Sequence, residues 1–144
     1  MFHLPFILSD KDAVDPERAH AGDAGLDLTA TQDETLYIGD TVAIGTGLIF
    51  GIPFGYCGLI IPRSSMGKRG IIIPNSPGLI DSGYRGEVKV LLLNLSNRIY
   101  KVNKGDKIAQ LVIVQHERIT PQKVEQLPPP MDNRGVGGFG SSGK

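Results

Sequence analysis

The sequence predicts an all-β domain of the closed β-barrel or jelly-roll type. Nineteen glycines and ten prolines divide the 144 residues into short segments, few of which are long enough for a three-turn helix. None of the segments shows the 3.6-residue apolar period of an amphipathic helix, whereas many are apolar or β-branched runs bounded by turn residues. These runs recur about every ten residues, a spacing typical of β-sandwiches and β-barrels.

The candidate strands follow one another along the chain, each ended by a turn or by a proline. Residues 56–61 form an apolar run that stops at Pro62, and the β-branched residues 71–73 stop at Pro74. Because proline donates no hydrogen bond to a β-ladder, each of these prolines marks a strand end. The other candidates combine an apolar or alternating pattern with a terminal turn: residues 36–38, 41–50, 87–95, 99–102 and 107–114.

The end of the chain differs in composition from the rest. Prolines 128–130 form a stiff spacer that cannot enter a sheet interior, and the stretch RGVGGFGSSGK holds five glycines and two serines. Such a stretch cannot build a core. We therefore predict a β-barrel domain over residues 1–127 and a flexible arm over residues 128–144. The arm is either a plain disordered end or a segment that orders over a ligand through Arg134 and Phe139.

Composition and charge exclude several classes of protein. Fifteen basic and fifteen acidic side chains cancel, so the chain has no bulk attraction for nucleic acid or an anionic membrane. The single cysteine, Cys57, rules out an intrachain disulfide and a multi-cysteine metal site, and its apolar surroundings predict burial. The start has no basic region typical of a signal peptide. No apolar run is long enough to span a membrane. A reducing, soluble compartment is expected.

The segment GLIDSGYRGEV, residues 78–88, places a carboxylate and an aromatic ring close together. Leu79 and Ile80 are predicted to be strand residues that lead into Asp81. The pair Ser82-Gly83 is typical of a tight turn that permits positive φ, and Tyr84 follows it. The hairpin thus aims Asp81 and Tyr84 at one small volume, although a turn with a solvated aspartate is the simpler interpretation.

Two further segments carry groups suited to a metal or a phosphate. Asp27 in AGDAGLDLTA is flanked by Leu26 and Leu28, so strand alternation points it away from their face. There it could hold a metal-bound water or be an ordinary polar residue. In PRSSMGKRG, Arg63 offers a planar fork of donors for phosphate oxygens. Ser64 and Ser65 add hydroxyls in a turn with consecutive N–H groups, but a solvated basic turn also fits.

Two amide side chains could form hydrogen bonds to a ligand. Asn75, in PNSP, carries both a donor and an acceptor, which suits the edge of a nucleobase. It could equally be a turn residue between two prolines. Gln110 is a polar residue in the apolar strand GDKIAQLVIV, where it lies either on a solvated face or in a site. The three histidines have no spacing typical of metal ligands and are expected to be surface or hydrogen-bonded residues: His3, His20 and His116.

Together these segments resemble the trimeric dUTP pyrophosphatases (dUTPases). The five motifs of that family occur in order, as AGDAGLDL, PRSSMG, GLIDSGYRGEV, GDKIAQL and RGVGGFGSSG. The resemblance implies a jelly-roll-like subunit, a homotrimer with shared active sites, a cytoplasmic location, and Mg²⁺-assisted hydrolysis of dUTP to dUMP and pyrophosphate. Such an enzyme limits uracil in DNA and supplies dUMP for thymidylate synthesis.

The resemblance also implies a role for each site residue. Asp81 would deprotonate the water that attacks the α-phosphorus, and Tyr84 would pack against the deoxyribose and exclude UTP. Asp27 would contact the metal through water only. The remaining residues implied in substrate binding are Asn75, Leu79, Ile80 and Lys89 at uracil; Arg63, Ser64, Ser65 and Gln110 at the phosphates; and Arg134, Phe139, Gly140 and Ser141 in the arm.

One departure from the family pattern keeps alternatives open. Ser65 stands where this family most often has glycine, and the form RSS also occurs in deoxycytidine triphosphate deaminases of the same fold. Those enzymes use a glutamate base and generally lack this hairpin and tail, so Asp81 and Tyr84 favour the pyrophosphatase. A non-catalytic β-barrel that binds single-stranded nucleic acid or a protein is the second alternative, disfavoured by neutral charge and few aromatic residues.

Overall fold

The computed structural model describes residues 3–132, 135 and 136, and this part of the chain is nearly all β. It contains eleven strands and one five-residue helix, so the prediction of a β protein is confirmed. The elements in chain order are β1 Phe6–Leu8, β2 Leu26–Thr29, β3 Glu34–Leu36, β4 Thr41–Gly45, β5 Leu48–Phe50, β6 Tyr56–Ile61, α1 Ser64–Lys68, β7 Ile71–Ile72, β8 Gly78–Ile80, β9 Lys89–Asn94, β10 Tyr100–Val102 and β11 Lys107–Gln115.

The strands form four antiparallel sheets around one core. The orders are β1-β5, β10-β3, β4-β9-β7 and β2-β11-β6-β8. In β9, Val90, Leu92 and Asn94 are buried while the residues between them are not, which is the two-residue period of a strand with one core face. Complete burial of an aliphatic side chain contributes about 1.5–3 kcal/mol. Fully buried members of the core include Leu28, Leu36, Ile44, Leu48 and Leu111.

Strand β11 joins the two halves of the largest sheet. It has nine residues and pairs with β2 on one side and β6 on the other. Gln110 lies opposite both Asp27 of β2 and Ile61 of β6. The strand therefore brings the first, second and fourth sequence motifs side by side.

Most strand predictions agree with the structure within a few residues, and the run 56–61 agrees at both ends. The prediction of a single strand over residues 41–50 is wrong, because the chain turns between β4 and β5. Gly47 has φ +65° at this turn, and a Cβ there would lie 2.6 Å from Ala13 Cβ. Thr46 is fully buried, and its hydroxyl donates to Val88 O at 2.7 Å. Residues 46–47 therefore form a corner.

Two other elements differ from the sequence prediction. Strand β1 was not predicted, since it is short, follows Pro5 and has all three side chains exposed. The segment after Pro62, expected to be a turn, contains the helix α1, whose Met66 is buried. Cys57 is free and buried, as predicted. Within the described residues, no helix has the length and apolar character needed to cross a membrane.

The turn after β9 is organised by a buried amide. Asn94 is fully buried, and its Nδ2 donates to Leu36 O and Arg98 O, both at 2.9 Å. Its Oδ1 accepts hydrogen bonds from the backbone N–H and the hydroxyl of Ser96, at 3.0 and 2.7 Å. A buried polar side chain that satisfies its donors and acceptors in this way fixes the loop to the neighbouring strand.

We expect Asn94→Ala to lower the free energy of unfolding by about 2–4 kcal/mol, because it removes four hydrogen bonds, two of which its amide donates to the carbonyl groups of Leu36 and Arg98. Urea denaturation measures the change. Asn97→Ala, at an exposed position of the same turn, is the matched control and should change stability by less than about 0.5 kcal/mol. Equal losses in the two variants would contradict this role for Asn94.

Candidate active site

The first group of candidate residues surrounds a buried carboxylate. Asp27 is 5% exposed, although the sequence left open an ordinary polar surface residue. Its Oδ1 lies 3.3 Å from Arg63 Nε, and its Oδ2 lies 2.7 Å from Lys107 Nζ. A buried carboxylate is costly unless cations compensate it, so these two side chains maintain its charge. We call Asp27, Arg63 and Lys107 the ion cluster.

Lys107 reaches the ion cluster because β11 contains a bulge. Gln110 pairs with Asp27 and Ala109 with Leu28, but Lys107, not Ile108, pairs with Thr29. Opposite residues in an antiparallel pair share a face. The extra residue therefore turns Lys107 onto the face of Thr29 and Asp27, whereas simple alternation would put it with Ala109 on the other face. Sequence reasoning missed Lys107 because a two-residue period does not reveal a bulge.

Arg63 is held from two sides and still faces solvent. Its Nε lies against Asp27, and its Nη1 donates to Lys107 O at 3.2 Å. The guanidinium carries five N–H donors, so these contacts leave others available. With 29% of the side chain exposed, Arg63 is suited to bind an anion in a fixed orientation.

The neighbours of the ion cluster include three of the residues predicted to bind phosphate. Ser64 and Ser65 are exposed and begin α1, directly after Arg63. Gln110 is half-buried and its side chain passes over Gly25, where a Cβ would lie 3.0 Å from Gln110 Oε1. The glycine is thus needed for the amide to lie here. Gln110 therefore shares a face with Asp27, its cross-strand partner, and Ser64 and Ser65 adjoin Arg63 in the chain.

Residues 78–88, which the sequence predicted to be a hairpin, form the second group. The hairpin prediction is wrong, because β8 pairs with β6 whereas β9 pairs with β4 and β7, so the two strands lie in different sheets. We keep the name hairpin for residues 78–88 only. Asp81 is exposed, and residues 82–83 form the predicted turn, with Tyr84 N–H donating to Asp81 O at 3.1 Å. Tyr84 is 45% exposed and its hydroxyl donates to Glu87 O at 3.0 Å. Its ring lies over Gly86, where a Cβ would clash with it. The carboxylate and the ring are thus both exposed.

The other residues predicted at the nucleobase lie along the same hairpin. Asn75 is exposed in the turn before β8, and a Cβ on the buried Gly78 would lie 3.4 Å from Asn75 Nδ2. Leu79 is 59% exposed, and Ile80 is half-buried. Lys89 begins β9, and its Nζ lies 3.8 Å from Glu87 Oε2. Strand β8, which contains Gly78 and Ile80, thus forms one edge of the large sheet, and Asn75 lies in the turn that precedes it.

The two groups lie far apart within one chain. Asp27 is on β2 and Asp81 follows β8, the two outer strands of the order β2-β11-β6-β8. Three strand spacings of about 4.8 Å place them about 14 Å apart across the sheet. Along β6, Ile61 marks the level of Asp27 and Gly58 that of Ile80, so the groups are also separated along the strands. Within one chain the two groups therefore lie on opposite edges of the large sheet.

The described residues fit a metal that is held mainly by its ligand. Among them, no group of three or more His, Cys, Asp or Glu side chains could hold a metal ion. Both oxygens of Asp27 are buried against Arg63 and Lys107, so the described residues offer a metal few direct ligands. This fits Mg²⁺, which retains several waters and is usually bound through few carboxylates and substrate phosphates.

Four predicted binding residues of the arm lie outside the described residues: Arg134, Phe139, Gly140 and Ser141. The described part is a β protein with a buried carboxylate held between two cations and, on another strand edge, an exposed carboxylate and aromatic ring. A partly exposed arginine is suited to a phosphate group, and an exposed aromatic ring is suited to pack on a sugar or a base. These groups together favour a ligand of the nucleotide class.

Comparisons with known proteins identify the family. A family model for dUTPase matches residues 11–143. The chain is 46% identical to a deoxyuridine 5'-triphosphate nucleotidohydrolase of Rhodococcus erythropolis, over 98% of this chain and 87% of that one. It is 42% identical to the protein of the same name from Clostridium acetobutylicum, over 99% of this chain and 98% of that one. The chain therefore belongs to the dUTPase family.

Solved structures agree with this result. A dUTPase of Staphylococcus bacteriophage 80alpha, solved with dUpNHpp, has a TM-score of 0.92 and 30% identity over the whole of both chains. A mutant dUTPase of S. aureus phage phi11, whose structure describes the coordination of a structural Mg(II) ion, has a TM-score of 0.83 and 28% identity over 89% of this chain and 100% of that one. These similarities favour neither the deaminase nor the binding-module alternative.

We expect Asp27→Ala to lower the free energy of unfolding by about 1–3 kcal/mol, because Arg63 and Lys107 lose a shared counterion but remain partly solvated. Urea denaturation checks the value. Asp12 is the matched control, since its pair with Lys104 at 3.2 Å is more exposed, and Asp12→Ala should cost less than about 1 kcal/mol. A loss at Asp27 no larger than that at Asp12 would contradict the role of burial.

Proposed function

We propose that this chain hydrolyses dUTP to dUMP and pyrophosphate, and thereby limits uracil in DNA and supplies dUMP for thymidylate synthesis. The observation that carries the proposal is the near full-length identity of 42–47% to named deoxyuridine 5'-triphosphate nucleotidohydrolases. The exposed Asp81 and Tyr84 support it because they offer a base and an apolar ring on one hairpin. The proposed compartment is the cytoplasm, with which the free Cys57 is compatible.

In the proposed mechanism Asp81 is the general base. Water is a weak nucleophile at neutral pH, and a carboxylate within hydrogen-bond reach can orient it and take its proton as it attacks the α-phosphorus. The bond between the α-phosphorus and the bridging oxygen breaks, and pyrophosphate leaves. Asp81 is suited to this role since it is exposed and makes no described ion pair.

The ion cluster is the proposed binding site for the phosphate groups. Arg63 would use its remaining N–H donors on the phosphate oxygens, and Ser64, Ser65 and Gln110 would add neutral donors. When bound, Mg²⁺ would neutralise part of the charge of the triphosphate. Asp27 would orient water molecules bound to the metal and, through its ion pair, would hold Arg63 in position.

The hairpin is the proposed site for the nucleoside. Asn75 and the backbone near Leu79, Ile80 and Lys89 would read the edge of uracil. Tyr84 would pack on the deoxyribose, so that a 2′-hydroxyl would meet the ring and lose its solvation. Discrimination against UTP would then depend on how firmly the ring is held.

We further propose a homotrimer of jelly-roll-like subunits with active sites shared between subunits. The separation of about 14 Å between the strands that carry Asp27 and Asp81 supports sharing, because a base must lie within hydrogen-bond reach of the water at the phosphate. The hairpin of one subunit would face the ion cluster of another. Residues 128–144 would form the arm that covers the site, with Phe139 on uracil and Arg134, Gly140 and Ser141 at the phosphates.

We expect Asp81→Asn to bind dUTP normally and to lower kcat by about 10²–10⁴-fold, since it keeps the shape and removes the base. Isothermal titration with a non-hydrolysable dUTP analogue measures binding, and pyrophosphate release measures turnover. Asp40→Asn changes an exposed turn aspartate between β3 and β4 and should leave both unaffected. A near-normal kcat for Asp81→Asn would show that another group is the base.

Deletion of residues 134–144 should lower kcat by about 10²-fold or more, because the site loses phosphate donors and its cover. The free energy of unfolding should change by less than about 0.5 kcal/mol, since the deleted residues lie beyond the described core. Denaturation, size-exclusion chromatography and pyrophosphate release are measured on the same preparation. Early melting or loss of the oligomer would assign the arm a structural role instead.

A further inference from the structure

We propose that Glu87 is a positioning residue that sets the selectivity for deoxyribose over ribose, because it holds the hydroxyl end of the Tyr84 ring. Glu87 lies near the end of the hairpin and has no role in the proposed chemistry, yet its carbonyl accepts the Tyr84 hydroxyl and its carboxylate contacts the corner between β4 and β5. The inference rests on the proposed function, in particular on Tyr84 as the residue that packs on the sugar.

The Tyr84 ring is held in place by residues that follow it in the chain. Its hydroxyl donates to Glu87 O at 3.0 Å, and the ring lies over Gly86, which has no Cβ to obstruct it. Arg85 stiffens the turn locally, since its Nη1 donates to Ser82 O at 2.7 Å and to Tyr84 O at 2.8 Å. Among the described residues, the side-chain hydrogen bonds of residues 81–86 end at the carbonyl groups of Ser82, Tyr84 and Glu87. The position of the ring therefore depends on where Glu87 is anchored.

Glu87 is anchored outside the hairpin, on the corner. Its Oε1 accepts the backbone N–H of Gly47 at 3.0 Å. A Cβ on Gly45 would lie 2.6 Å from the same oxygen, so the carboxylate occupies space that only a glycine leaves open. The side chain is 29% exposed, and Lys89 Nζ lies 3.8 Å from its Oε2. The half-buried carboxylate thus links the hairpin to the corner.

The corner itself is rigid. Val88 is buried, its N–H donates to Leu48 O at 2.8 Å, and its carbonyl accepts the buried Thr46 hydroxyl at 2.7 Å. Thr46 Oγ1 also accepts the Leu48 N–H at 3.3 Å. Glu87 therefore connects the rigid corner to the exposed ring: its carboxylate contacts Gly47, and its carbonyl accepts the Tyr84 hydroxyl. The peptide group that joins Glu87 to Val88 is held by the Val88 N–H, and the Glu87 side chain adds a second anchor at Gly47. Loss of this second anchor would give the ring more freedom to move away from a 2′-hydroxyl.

The quantity that reports on this role is the ratio of kcat/KM for dUTP to kcat/KM for UTP. A loosened ring would accept UTP better while dUTP still binds, so the ratio should fall. Exclusion of one hydroxyl by an apolar contact is worth about 10–10²-fold. We expect Glu87→Ala to lower the ratio by about 10-fold, with kcat for dUTP changed less than the ratio.

Three further variants make the experiment specific. Gly45→Ala alters the partner of Glu87 instead of Glu87 itself. It should also lower the ratio, because the new Cβ must displace the Glu87 carboxylate. Glu87→Gln keeps an oxygen that can accept the Gly47 N–H and should retain most of the selectivity. Glu34→Ala removes another half-buried glutamate, whose Oε1 accepts the Thr35 N–H at 3.1 Å far from the hairpin, and should leave the ratio unchanged.

Tyr84→Ala separates the inference from the function on which it rests. Hydrolysis of dUTP by the unaltered protein tests the proposed activity, and a fall in the ratio for Tyr84→Ala tests the role of the ring. If Tyr84→Ala lowers the ratio while both Glu87→Ala and Gly45→Ala leave it unchanged, the inference is overturned and the proposed function stands. If Glu34→Ala lowers it as much as Glu87→Ala, the effect is a general loss of stability, and the inference is overturned as well.

Discussion

The structure of the anion site depends on one electrostatic constraint, the burial of the Asp27 charge. A carboxylate that is 5% exposed must be compensated, and it is compensated by two cations from two other segments of the chain. The same contact that satisfies Asp27 also orients the guanidinium of Arg63, which remains partly exposed. An arginine fixed in this way loses less side-chain entropy when an anion binds. The interaction thus links the interior of the large sheet to the preorganisation of its surface.

The pairing order of that sheet determines how the site can be assembled. Strand β11 lies between β2 and β6 and gathers the ion cluster, whereas β8 lies on the far side of β6 and carries the hairpin. The hydrogen-bonded strands between them keep the two groups on opposite edges of the sheet. The proposed sharing between subunits would bring both groups to one site without a rearrangement of the fold.

Much of the fold and most of the candidate residues could be predicted from the sequence, because they depend on local patterns. The run 56–61 was predicted to the residue, and the turn that separates Asp81 from Tyr84 follows from Ser82-Gly83. What could not be predicted depends on contacts between distant segments. Lys107 faces Asp27 only because of a bulge, and the break in the run 41–50 reflects close packing of Gly47 against Ala13. Glu87 likewise has no local signal, since its partner is the Gly47 N–H.

The corner between β4 and β5 has a consequence for how the sequence can vary. The Glu87 carboxylate and a Cβ at position 45 compete for the same volume, as the distance of 2.6 Å between them indicates. Gly45 and Glu87 are therefore expected to covary among related sequences: a larger residue at position 45 would favour a shorter or apolar side chain at position 87. Selection at the substrate pocket would then act on a glycine that no substrate touches.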